Sequence, residues 1–225
     1  MKQPEIRARR IGREGTPIVV IDGFSQDPEA LRDLARDRSF VTAADHYPGV
    51  RAVVPADYMS AHGPILAPVL KEVFGGTGSV RVLDMVYGIV STSPTDLTLV
   101  QRLPHVDAMS PDRIALVHYL TPGRSEGTAF FRHRVTGFES IDPARGEAYL
   151  AALNAEAQEG RVPKEGYVSA DTDLFECIHV VEARFNRAVV YRSNMLHSGA
   201  ITADTPLSPD PVRGRLTITG FLSLS

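Results

Sequence analysis

The first third of the chain alternates a strand with helical segments. Residues 17–22 form a β-branched run that predicts a buried strand. Asp27 followed by Pro28 is typical of a helix N-terminus, and the apolar residues after it recur at helical spacing. A second helical pattern covers residues 56–74, where two prolines should limit the length of any one helix. Between these helices, a Pro-Gly pair in residues 46–51 predicts a loop.

From residue 80 onward the pattern changes to a succession of about eight short strands. Asp142 followed by Pro143 predicts a helix that runs to about residue 157 and interrupts these strands. Helices followed by strands in this order predict an α+β fold, mainly β, built on a β-sandwich or jelly roll. The mouth of such a roll can hold a metal and a small ligand. The main predicted strands cover residues 80–90, 97–102, 113–120, 127–135, 174–183, 188–192 and 215–224.

The sequence contains no internal repeat, low-complexity tract or linker that would divide its 225 residues. We therefore expect a single domain over residues 1–225. Residues 1–79 would form an N-terminal strand and supporting helices. Residues 80–225 would form the β core, with a helical insertion near residues 142–158.

The composition is ordinary for a soluble globular protein, with 43% apolar and 23% charged residues. A formal net charge of -3 argues against a nucleic-acid or polybasic membrane partner, and the basic run at residues 7–10 is expected on a solvated edge. The single cysteine, Cys177, excludes an internal disulfide and a cysteine-based zinc cluster. Because the chain shows no hydrophobic signal region and no apolar run of transmembrane length, we expect a cytoplasmic protein.

Two histidines and an aspartate are the candidates for a metal site. His105 and Asp107 are two residues apart at the end of a predicted strand, so their side chains should project to the same side. His197, near another predicted strand end, would supply the third ligand of a facial triad that leaves three positions of an octahedral iron open. The alternative is that His197 caps a strand end by bonding a backbone carbonyl. Three other strand histidines, expected to be structural, are His118, His133 and His179.

The order of these motifs resembles the pattern of the Fe(II)/2-oxoglutarate-dependent dioxygenase superfamily, in particular its prolyl-hydroxylase-like members. The motif from His105 to Asp107, the distal His197 and the motif from Arg215 to Thr217 match the superfamily's His-x-Asp, His and Arg-x-Ser/Thr. The resemblance covers residues 80–221 and implies a double-stranded β-helix, which is a jelly roll of the cupin type. The chain departs from the pattern in its helical insertion and in a longer gap before the last strand.

The resemblance implies that the triad binds Fe(II) and that 2-oxoglutarate is the cosubstrate. Arg215 and Thr217 would bind the distal carboxylate of 2-oxoglutarate, since a guanidinium donates to both oxygens and stays protonated. Tyr119 is a further implied donor to the same carboxylate. Arg213 remains the alternative to Arg215, because it shares the same face if the last strand begins two residues earlier.

The implied activity is hydroxylation of a substrate with release of succinate and CO2. The substrate would be a small molecule, an amino acid or a peptide, and Tyr47, Arg51 and Arg132 are the residues that could contact it. One alternative is a cupin-like metalloprotein, an isomerase or hydrolase that uses the same triad without 2-oxoglutarate. Another is a binding domain that has lost its chemistry.

Overall fold

The computed structural model describes residues 3–43 and 47–224, which form two antiparallel β-sheets and three α-helices. The strands are β1 (Glu5–Ile11), β2 (Thr16–Asp22), β3 (Val41–Thr42), β4 (Gly49–Val53), β5 (Val80–Val90), β6 (Arg113–Tyr119), β7 (Arg124–His133), β8 (Phe175–Arg184), β9 (Arg187–Arg192), β10 (His197–Gly199) and β11 (Arg215–Leu224). The helices are α1 (Pro28–Arg36), α2 (Tyr58–Phe74) and α3 (Gly146–Gln158), with short 3-10 helices at Pro94–Asp96 and Val100–Arg102.

The larger sheet lies between the first two helices and the smaller sheet. Its strand order is β1-β2-β9-β6-β11-β5-β4-β3, and that of the smaller sheet is β10-β7-β8. On β6, Ile114 and Leu116 join the core formed with α1 and α2. The alternate residues Ala115 and Tyr119 face the other way and pack with Phe130 of the smaller sheet. Two facing antiparallel sheets with flanking helices confirm the α+β, mainly β, jelly-roll fold.

The second helix, α2, is longer than its two prolines suggest. It continues through Pro64 and Pro68 for 17 residues. Both prolines are exposed, so water can solvate the carbonyl groups that lose an amide donor in the turn before each proline. The opposite side of the helix buries Leu66 and Leu70 against the larger sheet, and this packing keeps the helix continuous.

Two predicted segments have a different structure. Of the predicted loop at residues 46–51, residue 46 lies outside the described residues, and residues 49–51 belong to β4, which pairs with β5. Gly49 permits this pairing, since a Cβ atom there would lie 2.0 Å from the carbonyl oxygen of Ile89. The strand predicted at residues 97–102 is wrong, because this segment pairs with no described strand and includes the 3-10 helix Val100–Arg102.

The helical insertion is confirmed as α3, but its first helical residue is Gly146 rather than a residue next to Asp142. Asp142 instead caps a turn, in which its Oδ1 accepts a hydrogen bond of 2.9 Å from the Arg145 amide. The basic run at residues 7–10 lies in β1, at the edge of the larger sheet. Within the described part of the chain, no helix is both long and apolar enough to span a membrane.

Candidate metal centre

The structure brings the side chains of His105, Asp107 and His197 together. Their candidate ligand atoms all lie within 4.8 Å of one another. Nε2 of His105 is 3.7 Å from Oδ1 of Asp107, and Nε2 of His197 is 3.5 Å from Oδ2 of the same carboxylate. Two imidazole nitrogens and one carboxylate therefore converge on one point, as a facial triad requires.

Backbone hydrogen bonds, rather than a regular strand, hold this cluster in place. His105 and His197 exchange two N–H···O bonds of 2.9 Å in an isolated β-bridge. The amide of Asp107 donates to the carbonyl of Ser193 at 2.9 Å. The segment that carries the first two ligands is thus attached directly to Ser193, just after β9, and to the third ligand at the start of β10.

The protonation state of His197 suits a metal ligand. Its Nδ1 donates a hydrogen bond of 2.9 Å to the carbonyl of Met195, which leaves the lone pair on Nε2. Burial lowers the pKa of His197 to about 4, so the ring is neutral at pH 7. The bond to a backbone carbonyl that the sequence offers as an alternative role is therefore present, and it orients the ring toward Asp107.

Asp107 supplies the observation that tests whether a cation fits. Its Oδ2 is buried and accepts no hydrogen bond from the described residues. Burial raises the pKa of Asp107, and electrostatic interactions with His105, Arg113 and Arg51 oppose that shift. A buried carboxylate oxygen without a donor is costly, and a divalent cation between the three side chains would compensate for it. The donor set fits Fe(II) or a similar first-row metal.

The three ligands line a cavity of about 550 Å³ between the two sheets. Strand β11 contributes Arg215 and Thr217 to the same cavity, while the alternate residues Leu216 and Ile218 pack under the helices. Arg215 is only 8% exposed and donates a hydrogen bond of 2.8 Å to the carbonyl of Gly127. The period of two along β11 thus places a buried guanidinium and a hydroxyl in the cavity of the candidate metal centre.

Of the other predicted cosubstrate residues, Tyr119 lies one layer behind the cavity surface and Arg213 lies outside it. The Tyr119 hydroxyl shares a hydrogen bond of 2.7 Å with the hydroxyl of Thr128, and Thr128 lines the cavity. The Arg215 guanidinium lies 5.5 Å from the centre of the Tyr119 ring. Arg213 precedes β11 and is exposed, so between the two arginines the structure places Arg215 in the cavity.

Of the three predicted substrate-contact residues, two line the cavity and one does not. Tyr47 and Arg51 line the cavity, with the Arg51 guanidinium 4.6 Å from the centre of the Tyr47 ring. Arg132 does not line it. This arginine is buried, and it donates to the carboxylates of Glu139 at 2.8 Å and Glu176 at 2.6 Å. Both carboxylates hold the guanidinium away from the cavity, so Arg132 has a structural ion pair where the sequence suggests a substrate contact.

Three further lining residues, Arg113, Thr128 and Tyr191, are absent from the sequence-based predictions. Thr128 lies two residues before the buried Phe130 on β7, so the two side chains share a face, and this period of two could have identified Thr128 as facing inward. The sequence carries no comparable signal for Arg113, because its place in the cavity depends on the pairing of β6 with β9 and β11.

Two of the histidines expected to be structural are fully buried and lie outside the cavity. His118 bonds the Tyr58 hydroxyl through Nδ1 and the Asn186 side-chain oxygen through Nε2, both at 3.1 Å. His133 bonds Glu156 through Nε2 at 2.7 Å, joining β7 to α3. Both rings therefore use their nitrogens within the protein interior.

Solved structures with the same fold include one with a metal and 2-oxoglutarate bound. HygX from Streptomyces hygroscopicus, with nickel and 2-oxoglutarate bound, is 13% identical, with a TM-score of 0.52 over 94% of this chain and 84% of that chain. The iron-bound form of HygX is 15% identical, with a TM-score of 0.50 over 96% and 88% of the two chains. SnoN, a non-heme alpha-ketoglutarate-dependent epimerase of nogalamycin biosynthesis, is 12% identical, with a TM-score of 0.50 over 92% and 78%.

At these identities the likeness shows that this chain shares the fold of these proteins. No curated protein matches the sequence. One family model does match, and it covers residues 2–222, nearly the whole chain. The chain therefore belongs to the family of unknown function DUF6445.

Proposed function

We propose that this protein is an Fe(II)- and 2-oxoglutarate-dependent oxygenase that hydroxylates a small-molecule, amino-acid or peptide substrate and releases succinate and CO2. The observation that carries the proposal is one cavity that contains both a convergent His-Asp-His cluster and a buried arginine. A metal site alone would suit many cupin-like proteins. The buried guanidinium beside it suits a cosubstrate with a second carboxylate.

Each residue of the cavity has a role that its surroundings support. His105, Asp107 and His197 would hold Fe(II), which when bound supplies the redox chemistry between dioxygen and the 2-oxo acid. The hydrogen bond from Arg215 to the Gly127 carbonyl orients the guanidinium in the cavity, where its positive charge can attract the cosubstrate carboxylate. The Thr217 hydroxyl, on the same face of β11, donates a hydrogen bond of 3.1 Å to the Gly88 carbonyl and would redirect that donor to a bound carboxylate.

Tyr47, which the sequence suggests as a substrate contact, is equally well placed to contact the cosubstrate. Its hydroxyl lies over Gly88, where a Cβ atom would be 2.8 Å away, and Thr217 Oγ1 is 3.5 Å from the same position. Burial raises the pKa of this Tyr47 hydroxyl, and the positive charge of Arg215 opposes that rise. A carboxylate bound by Arg215 and Thr217 would therefore lie beside the phenol, which could donate to it.

Binding measurements with the Arg215→Gln variant test the proposal. Under anaerobic conditions, calorimetry of the wild-type protein should detect Fe(II) binding and then 2-oxoglutarate binding. Because a hydrogen bond to a charged group contributes ~1.5–3 kcal/mol, Arg215→Gln should weaken 2-oxoglutarate binding by roughly 10- to 150-fold and leave metal affinity unchanged. The matched control is Arg213→Gln, which removes an exposed arginine two residues earlier and should change neither affinity.

Two results would overturn the proposal. If the metal-loaded protein bound no 2-oxoglutarate, the cupin-like metalloprotein alternative would be favoured, and absence of metal binding would favour a binding domain. If Arg215→Gln and Arg213→Gln behaved alike, the cosubstrate would not use the buried guanidinium. Aerobic incubation with Fe(II) and 2-oxoglutarate should also form succinate, which gives an independent readout of turnover.

A further inference from the structure

Two arginines in the cavity, Arg51 and Arg113, have no role in the proposed metal and cosubstrate sites. Arg51 lies on β4 and Arg113 begins β6, and both line the cavity that contains Asp107. The Nε atom of each is buried, and neither atom has a hydrogen-bond acceptor among the described residues. The described residues also offer no ion pair to either guanidinium within 4.0 Å.

An aromatic ring orients each of these guanidinium groups without using its hydrogen-bond donors. The Cζ atom of Arg51 is 4.6 Å from the centre of the Tyr47 ring, and that of Arg113 is 4.6 Å from the centre of the Phe221 ring. Stacking fixes the plane of a guanidinium and leaves its N–H edge available to an acceptor. Two oriented arginines with donors to spare are suited to binding an oxyanion.

Arginines elsewhere in the interior show the contrast. Arg132 donates to Glu139 and Glu176, and Arg187 donates to both carboxylate oxygens of Asp22, at 2.6 and 2.9 Å. These arginines bind carboxylates that the protein itself supplies. Arg51 and Arg113 differ, because no described carboxylate lies within 4.0 Å of either guanidinium and the Nε atom of each has no described acceptor.

The charge of the cavity lining favours an external anion. Among the described residues, the lining has two carboxylates: Asp107, in the candidate metal centre, and Asp84, which is exposed and accepts a hydrogen bond from the Met85 amide. In the proposed function, the cosubstrate carboxylate neutralises Arg215. Arg51 and Arg113 then leave excess positive charge in a partly buried space, and a bound anion would relieve it.

We propose that Arg51 and Arg113 form an anion subsite beside the metal centre, and that the substrate carries a carboxylate, phosphate or sulfate group bound there. This inference rests on the proposed function, which requires a substrate in this cavity. The rest of the lining includes Val100, Leu103 and Val117, so the remainder of the substrate would be apolar where it contacts them.

A titration with isosteric probes tests the subsite without turnover. The Ni(II)-loaded protein, saturated with 2-oxoglutarate at constant ionic strength, is titrated calorimetrically with sulfate, methanesulfonate and dimethyl sulfone, which are similar in shape and differ in charge. Sulfate should bind at one saturable site and dimethyl sulfone should not bind. Arg51→Gln and Arg113→Gln should each weaken sulfate binding by about tenfold or more. The control Arg81→Gln removes an exposed arginine outside the cavity and should leave sulfate affinity unchanged.

Lysine variants separate loss of charge from loss of structure. Arg51→Lys and Arg113→Lys keep the cation, so they should bind sulfate more tightly than the glutamine variants while 2-oxoglutarate affinity stays at its wild-type value. The inference is overturned if the wild type binds no sulfate, if dimethyl sulfone binds equally well, or if the glutamine variants lose 2-oxoglutarate affinity and keep sulfate affinity.

The two proposals fail in different ways. Absence of 2-oxoglutarate binding to the wild type would overturn the proposed function, and sulfate binding could then still be measured on the metal-loaded protein alone. Normal, Arg215-dependent binding of 2-oxoglutarate without sulfate binding at Arg51 and Arg113 would overturn only the anion subsite.

Discussion

Substitution of Asp107 by asparagine should stabilise the metal-free protein and abolish its stabilisation by metal. The Oδ2 atom of Asp107 is buried without a donor among the described residues, and burial raises the pKa of the carboxyl group. In the absence of a cation, the ionised carboxylate is therefore a cost to folding. Asparagine keeps the size of the side chain and removes the charge, so the metal-free Asp107→Asn variant should unfold at a higher temperature.

The expected magnitude follows from the unpaired oxygen. A buried acceptor left without a donor costs ~1–3 kcal/mol, and a neutral amide should recover about 1 kcal/mol of this. For a chain of this length, 1 kcal/mol corresponds to a rise in Tm of roughly 2–4 °C. Metal at 100 times its Kd adds about 2.7 kcal/mol to wild-type stability, or roughly 5–10 °C, whereas the variant should gain little.

Thermal unfolding measures both effects. Because the chain contains no tryptophan, unfolding is followed by far-UV circular dichroism on chelator-treated protein, with and without added Mn(II). The matched control is Asp84→Asn, which alters an exposed carboxylate in the same cavity lining. This control should stay within about 0.5 kcal/mol of the wild type and retain the stabilisation by Mn(II).

The reasoning would be refuted by either of two outcomes. A metal-free Asp107→Asn variant less stable than the wild type would show that the carboxylate makes a favourable interaction in the metal-free protein. An unchanged Mn(II) shift in this variant would show that Asp107 is not a metal ligand.

Two further predictions concern groups outside the cavity. Burial lowers the pKa of His118 to about 3, whereas an unfolded histidine titrates near 6.5, so the unfolded state takes up the proton first as pH falls. The stability that depends on neutral His118 is thus complete above about pH 6.5, is reduced by about 2 kcal/mol at pH 5 and continues to fall toward pH 3. Urea unfolding at pH 7.5 and pH 5 should show a smaller loss of unfolding free energy for His118→Asn than for the wild type. An equal loss would contradict this assignment. Arg132→Met breaks a buried ion pair with Glu139 and should lower the free energy of unfolding, measured with urea, by about 3 kcal/mol. The 2-oxoglutarate affinity should not change. Unchanged stability together with weakened 2-oxoglutarate binding would instead indicate that Arg132 contacts a ligand in the cavity.

Local patterns in the sequence were sufficient to predict the candidate ligands and the face of the last strand. The spacing of His105 and Asp107 and the distal His197 identified three residues that the structure brings together. The alternation along β11 predicted that Arg215 and Thr217 share one face, and both line the cavity. These inferences hold because strand periodicity depends on neighbours in the chain.

Tertiary structure alone decided how those residues meet and what surrounds them. His105 and Asp107 converge through backbone bonds to His197 and Ser193, about 90 residues away, and not through a regular strand. The pairing of β4 with β5 brings Arg51 into the cavity. Arg132 donates to two glutamates and does not line the cavity, so it is not placed to contact a substrate there. Strand pairings and buried ion pairs join residues that are distant in the chain, and no local pattern encodes which partners they select.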